Sequence, residues 1–287
     1  MVTTMTGSAT GNGPIAGGAD TRRLSWSLRS DPGEVRPENE DFVAVHVPPG
    51  DPDAWDRSPL FVVADGMGGH AAGEVASRLA AETVIEGWSA PQAQMGVTGM
   101  RSVVRAANLA VHQAATEPGR AGMGTTLTAL SFDGGTAAIA HVGDSRAYLV
   151  RGDSCVQLTS DHSRVGEMLR MRLLTPEQAA NHPMRSQLTR SLGADLLVQI
   201  DLVREPAQLG DTFVLCSDGL WDVVSRTDIT NVVATNDGEQ PGTVASRLVD
   251  LALERGTADN VSAVVVTVTA SPPIAPEGRR SFFRRRS

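Results

Sequence analysis

An apolar run, Leu60–Ala64, ends on the carboxylate of Asp65 and is followed by Gly66, Gly68 and Gly69. The run predicts a strand that is buried on both faces. Glycine lets the backbone turn sharply and approach a ligand closely, so its carbonyl oxygens can also serve as ligands. A carboxylate at the mouth of a buried strand is costly unless a positive partner meets it. The stretch alone also fits a solvated corner between strand and loop, so a chemical role requires partners from elsewhere.

Two further carboxylates adjoin strands of the same kind. The apolar segment Asp211–Asp218 closes on an Asp-Gly pair, and Asp259 immediately precedes the apolar segment Val261–Val268. If these strands lie side by side with the first, three carboxylates meet in one place and cannot all stay ionised. A pair of divalent cations resolves this repulsion, and oxygen ligands without Cys or clustered His suit Mg²⁺ or Mn²⁺ rather than zinc. The alternative is that each aspartate merely caps a turn. The additional acidic pair Glu40-Asp41 argues against this alternative.

Composition excludes several other functions. The chain has 287 residues, of which 41% are hydrophobic and 20% charged, as in a soluble globular protein of one large domain or two small ones. Its net charge of −8 does not indicate a nucleic-acid-binding protein, which would be expected to be basic. The absence of lysine excludes a P-loop and lysine Schiff-base chemistry. Two cysteines make neither a disulfide framework nor a zinc site.

No secretory signal and no membrane-spanning run is visible, so we expect a cytoplasmic protein. Residues 1–20 contain almost no large apolar side chain and are expected to be flexible, and so is the basic tail 271–287. The intervening residues 21–270 are expected to form the folded domain.

Periodicity predicts helices over Ala71–Trp88 and from Met100 to Ala114. A hairpin is predicted for Thr126–Phe132 and Thr136–Val142, and Arg146–Arg151 is predicted to continue it as a meander. Residues 161–190 are predicted to form polar helices. The mixture of successive helices and successive strands rules out simple strand-helix alternation.

Several multi-residue blocks occur in order along the chain: Arg36-x-x-Asn39-Glu40-Asp41, Asp65-Gly66-Met67-Gly68-Gly69-His70, Gly124-Thr125-Thr126, Gly143-Asp144-Ser145-Arg146, Ser217-Asp218-Gly219-Leu220-Trp221 and Asp259-Asn260. Together they resemble the metal-dependent protein phosphatases of the PP2C type, in the family's order and from about residue 24 to 269. The resemblance implies an α+β fold, a four-layer αββα sandwich of two mainly antiparallel sheets flanked by antiparallel helix pairs.

The resemblance also implies a role for each acidic position. Asp65 would bridge two Mn²⁺ or Mg²⁺ ions, and the carbonyl of Gly66 would join one of them. Asp218 and Asp259 would complete the other ion. Four other residues would not bind the two ions directly. Glu40 and Asp41 would hold waters that are bound to the ions, and Asp144 would help bind a third, weaker metal seen in bacterial members. Asn260 would orient Asp259.

The implied activity is hydrolysis of phosphoserine and phosphothreonine on proteins by a metal-activated water. Arg36 can hold two phosphate oxygens with its planar fork. His70 is the candidate acid that gives a proton to the departing alkoxide. The expected partners are phosphorylated substrates of serine/threonine kinases, with no nucleic acid and no membrane span, and the chain is expected to act as a monomer.

Two other functions have to be weighed. Gly143-Asp144-Ser145-Arg146-Ala147 comes close to the nucleophile elbow of a serine hydrolase, but the elbow needs a helix after its serine and a glycine at the fifth position. The second alternative is a catalytically inactive phosphatase-like module that only binds phosphoproteins or a regulator. Such a module is expected to have lost a metal carboxylate or the phosphate-binding arginine, and none is missing here.

Overall fold

The computed structural model describes residues 3–6, 15–20, 23–48, 59–68, 72–235 and 243–271. Its strands are β1 (Thr3–Thr6), β2 (Ile15–Asp20), β3 (Leu24–Asp31), β4 (Asp41–Val47), β5 (Leu60–Met67), β6 (Gly124–Thr125), β7 (Leu127–Asp133), β8 (Thr136–Val142), β9 (Arg146–Arg151), β10 (Ser154–Gln157), β11 (Asp201–Pro206), β12 (Thr212–Cys216) and β13 (Val261–Val268). Its helices are α1 (Ala72–Ser89), α2 (Gly96–Ala114), α3 (Arg164–Arg170), α4 (Pro176–Ala180), α5 (Asp218–Trp221), α6 (Arg226–Ala234) and α7 (Thr243–Glu254).

The strands form two sheets in which every described pairing is antiparallel. The first sheet runs β1-β4-β5-β7-β8-β11, with the short β6 attached to β5. The second runs β10-β9-β12-β13-β3-β2. The expected pair of mainly antiparallel sheets is therefore confirmed.

Strand β5 is buried on both faces, as its apolar run predicts. Phe61 and Val63 pack between the two sheets, against residues such as Phe213 of β12. Leu60 and Val62 point the other way, into a core formed with α1 and α2. Each such fully buried side chain contributes about 1.5–3 kcal/mol to the free energy of unfolding. The same packing fixes the strand's end, and with it the position of Asp65.

Helices cover the outer face of each sheet and complete the four layers. Trp88 of α1 and Met100 of α2 belong to the core beneath the first sheet. On the second sheet, Leu248 of α7 and Ile229 of α6 pack over Val214 and its neighbours. In the part of the chain that the structure describes, no helix is both long enough and apolar enough to cross a bilayer.

The hairpin of β7 and β8 is confirmed, but the prediction that the meander continues past Val142 is wrong. Strand β9 pairs with β10 and β12 in the other sheet. The chain crosses between the sheets at Gly143, whose φ of 112° is rarely adopted by other residues. A Cβ there would also lie 2.5 Å from that of Thr126, so a glycine is required.

The segment 161–190 is less helical than expected. Helices α3 and α4 are present, but residues 181–190 form turns and an isolated bridge between Ser163 and Leu188. Pro183 lacks the N–H needed to continue α4. The short helices α5 and α6 were not predicted, although Ser225 and Asp228 form a capping box at the start of α6.

Two edge strands lie inside the segment 1–20, for which flexibility was expected. Strand β2 pairs with β3, and β1 pairs with β4. Edge pairing uses backbone hydrogen bonds and needs no large apolar side chains, so composition gave no sign of it. Residues 272–287 lie outside the described residues, and the division into a domain with flanking segments stays a prediction.

Candidate active site at one end of the two sheets

Antiparallel pairing brings five carboxylates to one end of the sandwich. Asp41 begins β4 directly opposite Asp65 on β5. Asp218 follows β12 and Asp259 precedes β13, which are neighbours, so the two lie at the same end of the second sheet. Strand β13 packs against both β4 and β5. The fifth carboxylate, Asp144, lies in the turn that connects the two sheets.

The carboxylates affect one another electrostatically. Burial, together with the charges of Asp41, Asp218, Asp144 and Asp259, raises the pKa of Asp65 well above its usual range. Burial, and then the other aspartates, raise the pKa of Asp41 to about 7 and that of Asp218 to about 6. The pKa of Asp144 rises to about 8, through burial and the charge of Asp218. Like charges in direct cross-strand contact destabilise a sheet, so the ionised arrangement favours a bound cation.

Hydroxyl groups hold the aspartates in place. The Ser217 Oγ donates to Asp41 Oδ2 at 2.6 Å, linking the end of β12 to the start of β4. The Asp65 N–H donates to Thr126 Oγ1 at 2.9 Å, and the Thr126 N–H donates back to the Asp65 carbonyl at 2.8 Å. Ser217 and Thr126 lie in the blocks that carry the resemblance, but neither had been assigned a role.

Asn260 connects the acidic loop to β13. Its backbone N–H donates to Asp259 Oδ1 at 2.9 Å, so the orienting contact comes from the main chain. Its side chain makes three other bonds: Oδ1 accepts from the Glu40 N–H at 2.8 Å, and Nδ2 donates to the carbonyls of Pro32 and Glu38. Asn260 therefore positions the loop that carries Glu40 as well as Asp259.

Two glycines make room for Glu40. The Gly66 N–H donates to the Glu40 carbonyl at 3.0 Å, and a Cβ on Gly66 would lie 2.7 Å from that oxygen and closer still to the Gly73 carbonyl. A Cβ on Gly73 would collide with the Glu40 carboxylate, which accepts a hydrogen bond from the Gly73 backbone. Burial raises the pKa of Glu40, and Arg36 opposes that shift. Sequence reasoning missed Gly73, because only the tertiary contact shows that a larger residue there would displace the Glu40 carboxylate.

Arg36 lies beside the carboxylates, as predicted. Its Nη2 donates to Asp259 Oδ2 at 2.7 Å, and its side chain is 49% exposed. The bond to Asp259 raises the pKa of the guanidinium, and the charges of Glu40 and Asp218 contribute as well. The guanidinium is thus within reach both of the acidic set and of an anion arriving from solvent. His70 lies outside the described residues, so its role stays a prediction.

The donors at this end of the sandwich fit divalent metal ions of the Mg²⁺ or Mn²⁺ type. They are carboxylate and carbonyl oxygens, which these ions prefer. Within the described ranges, no group of three or more His, Cys, Asp or Glu side chains is arranged so that it could hold a metal ion. Asp259 is engaged by Arg36 and Asp41 by Ser217. Which oxygens ligate each ion stays a prediction for Asp65, Gly66, Asp218 and Asp259, and equally for Glu40, Asp41 and Asp144.

Comparison with known proteins identifies the family. The family model for protein phosphatase 2C matches residues 33–261. A serine/threonine protein phosphatase PstP of Mycobacterium tuberculosis is 39% identical over 246 residues, covering 85% of this chain and 45% of that protein. A serine/threonine phosphatase stp of Listeria welshimeri is 36% identical over 244 residues, covering 83% of this chain and 94% of the relative.

A solved structure of a serine/threonine phosphatase also has the same fold as this chain. The catalytic domain of the serine/threonine protein phosphatase PstP, in complex with two manganese ions, superposes with a TM-score of 0.72 at 36% identity, covering 86% of this chain and 99% of that one. This chain spans less than half the length of the Mycobacterium tuberculosis relative. The residues matched by the family model include all the carboxylates and Arg36. The chain belongs to the protein phosphatase 2C family.

Proposed function

We propose that the chain hydrolyses phosphoserine and phosphothreonine on proteins with the help of two Mn²⁺ or Mg²⁺ ions. The observation that carries this proposal is the convergence of five buried or half-buried aspartates from both sheets beside the half-exposed Arg36. Relatives named as serine/threonine phosphatases support it, and one relative is solved with two manganese ions. Phosphorylated proteins are the proposed partners. The cytoplasm as location and the monomeric state stay predictions.

The chain's own residues have distinct tasks in this reaction. Bound divalent ions would lower the pKa of water and offset negative charge on the phosphate oxygens, so no protein nucleophile is needed. Asp65, Asp218, Asp259 and the Gly66 carbonyl would hold the two ions, and Asp144 a third. Arg36 would orient the phosphate through two of its oxygens. Asp259 already binds this guanidinium, and so fixes it at the mouth of the site.

The structure argues against a serine hydrolase. Ser145 is fully buried, and its Oγ forms a 2.7 Å hydrogen bond with Thr126 Oγ1. Strand β9 follows it rather than the helix of a nucleophile elbow. Ser145 instead supports Thr126, which holds the backbone of Asp65.

Phosphate release from a phosphothreonine peptide tests the proposal against the inactive alternative. We expect release in the presence of Mn²⁺ or Mg²⁺, because every acidic position and Arg36 are present. A chain that binds the phosphopeptide but releases no phosphate with either ion would be the inactive binding module instead.

His70→Ala is expected to slow hydrolysis of alkyl phosphoesters far more than that of aryl ones. A serine or threonine alkoxide is a poor leaving group and needs a proton, whereas p-nitrophenolate leaves without one; a general acid typically contributes about 10²–10⁴-fold. The measurement is kcat/KM of wild type and variant on a phosphothreonine peptide and on p-nitrophenyl phosphate. Equal losses on the two substrates would remove His70 from the role of acid.

A further inference from the structure

A cavity of about 620 Å³ lies beside the carboxylates, between α3, α4, β9, β10 and the start of α6. Its volume is that of a typical ligand site. We call it the arginine pocket, after four residues in its lining: Arg146, Arg170, Arg185 and Arg226. The proposed function does not use these arginines.

The positive charge of the arginine pocket exceeds its negative charge. Two aspartates, Asp161 and Asp222, line it together with the four arginines. Both carboxylate oxygens of Asp161 bind Arg146. Oδ1 accepts from Arg146 Nε at 3.0 Å and Oδ2 accepts from Arg146 Nη2 at 2.7 Å, while Oδ1 also accepts from the Gln157 side chain. Asp222 pairs with Arg185 at 2.8 Å. Both carboxylates are therefore already neutralised.

Two guanidinium groups remain without a carboxylate in the part of the chain that is described. Arg170 donates to the Asp161 backbone carbonyl at 2.8 Å, and Arg226 donates to the Gln157 side-chain oxygen at 3.0 Å. Both partners are neutral, and both arginines are exposed. In a chain of net charge −8, a concave surface with two uncompensated arginines is suited to an anion.

The arginine pocket shares a wall with the candidate active site. Trp221 is the last residue of α5, the helix that begins at Asp218. Its indole N–H donates to the Asp144 carbonyl at 3.0 Å, while the Arg146 guanidinium stacks on its ring at 3.5 Å. A polypeptide with one phosphorylated residue at the carboxylates could therefore place a neighbouring side chain in this pocket.

We propose that the arginine pocket binds a second anionic side chain of the substrate polypeptide, close in sequence to the residue being dephosphorylated. The inference rests on the proposed function and adds a substrate class to it, namely peptides that carry a phosphate or a carboxylate near the phosphoresidue. Arg170 and Arg226 supply the recognition. A phosphate is the stronger ligand, since it offers three acceptor oxygens and up to two charges.

The test compares peptides that differ only in the neighbouring side chain. Each carries one phosphothreonine, and a second position within about three residues of it, roughly 10 Å in an extended chain. That position holds Ala, Glu or a non-hydrolysable phosphonate analogue of phosphothreonine. The enzymes are wild type, the double variant Arg170→Gln/Arg226→Gln, and Arg105→Gln as a control on the exposed face of α2.

For wild type and the control variant, we expect kcat/KM on the best-placed phosphonate peptide to exceed that on the Ala peptide by about tenfold, mainly through KM. The Glu peptide is expected to fall between the two. The double variant is expected to lose this preference while keeping its rates on the Ala peptide and on p-nitrophenyl phosphate. Raising the salt concentration should shrink the preference as well.

Two results would overturn the inference: no preference at any position in wild type, or an undiminished preference in the double variant. Failure of the proposed function would look different, because wild type would then release no phosphate from any peptide or from p-nitrophenyl phosphate. In that case, binding of fluorescently labelled peptides in EDTA still measures the preference for an anionic neighbour. Equal affinity for the Ala and phosphonate peptides there would contradict the pocket's role.

Discussion

Asp218→Asn is expected to lower kcat/KM for p-nitrophenyl phosphate by about a thousandfold or more, because metal-assisted stabilisation of charge is worth several kcal/mol. The asparagine keeps the shape of the side chain but removes its negative charge. Asp218 follows β12 at the acidic end of the second sheet, and burial together with Asp259 already raises its pKa to about 6. Its ionised form is therefore costly to the fold, and a bound cation would offset that cost.

The loss in Asp218→Asn is expected without unfolding. A neutral amide at this position relieves repulsion among the carboxylates, so the EDTA-treated variant should be at least as stable as EDTA-treated wild type. The matched control is Asp250→Asn, which removes an exposed carboxylate of α7 that pairs with Arg29. That surface pair is worth little, and the control should keep full activity. An Asp218→Asn enzyme with more than about a tenth of wild-type activity would contradict the assignment, since it would imply a loss under 1.4 kcal/mol.

Without divalent ions, the protein is expected to become less stable as the pH rises from about 6.5 to about 8.5. Burial raises the pKa of Asp41 to about 7 and that of Asp144 to about 8, from a usual value of 3.8. In this window the unfolded chain has already lost these protons, whereas the folded chain still binds them. The folded state therefore loses its advantage as the pH rises, by roughly 2 kcal/mol or more in free energy of unfolding.

The window is chosen to avoid the buried histidines. Burial lowers the pKa of His141 to about 4, so this ring makes stability rise with pH, mainly below the ordinary histidine value of 6.5. The measurement is urea unfolding in EDTA at both pH values, with and without excess Mn²⁺ in place of the chelator. Mn²⁺ should flatten the dependence, because it stabilises the ionised carboxylates. Asp41→Asn should weaken it in EDTA, and equal or greater stability at the higher pH would contradict the account.

Local patterns predicted the strand ends well. The apolar run before Asp65 is a strand buried on both faces, and the carboxylates after β12 and before β13 do lie at neighbouring strand ends. Such patterns specify which face of an element is buried. They do not specify which sheet a strand joins, and for that reason the crossing at Gly143 was predicted as a continued meander.

Contacts between distant segments could not be predicted in the same way. A Cβ on Gly73 would displace the Glu40 carboxylate, and the Asn260 side chain holds the Glu40 backbone; both contacts join elements far apart in sequence. The arginine pocket is a similar case, because Arg170 and Arg226 come together only when α3 packs near the start of α6. Resemblance to a family predicted the acidic set and a role for Asn260 beside Asp259, but it gave no information about Gly73, about the contact of Asn260 with Glu40 or about the arginine pocket.

The most direct test of the central claim is Mn²⁺ titration of EDTA-treated protein, with phosphate release from a phosphothreonine peptide as the readout. We expect no release in excess EDTA, and recovery of activity as two Mn²⁺ ions bind to each chain, because the acidic side chains alone cannot activate water at neutral pH. Undiminished phosphate release in excess EDTA would contradict the account.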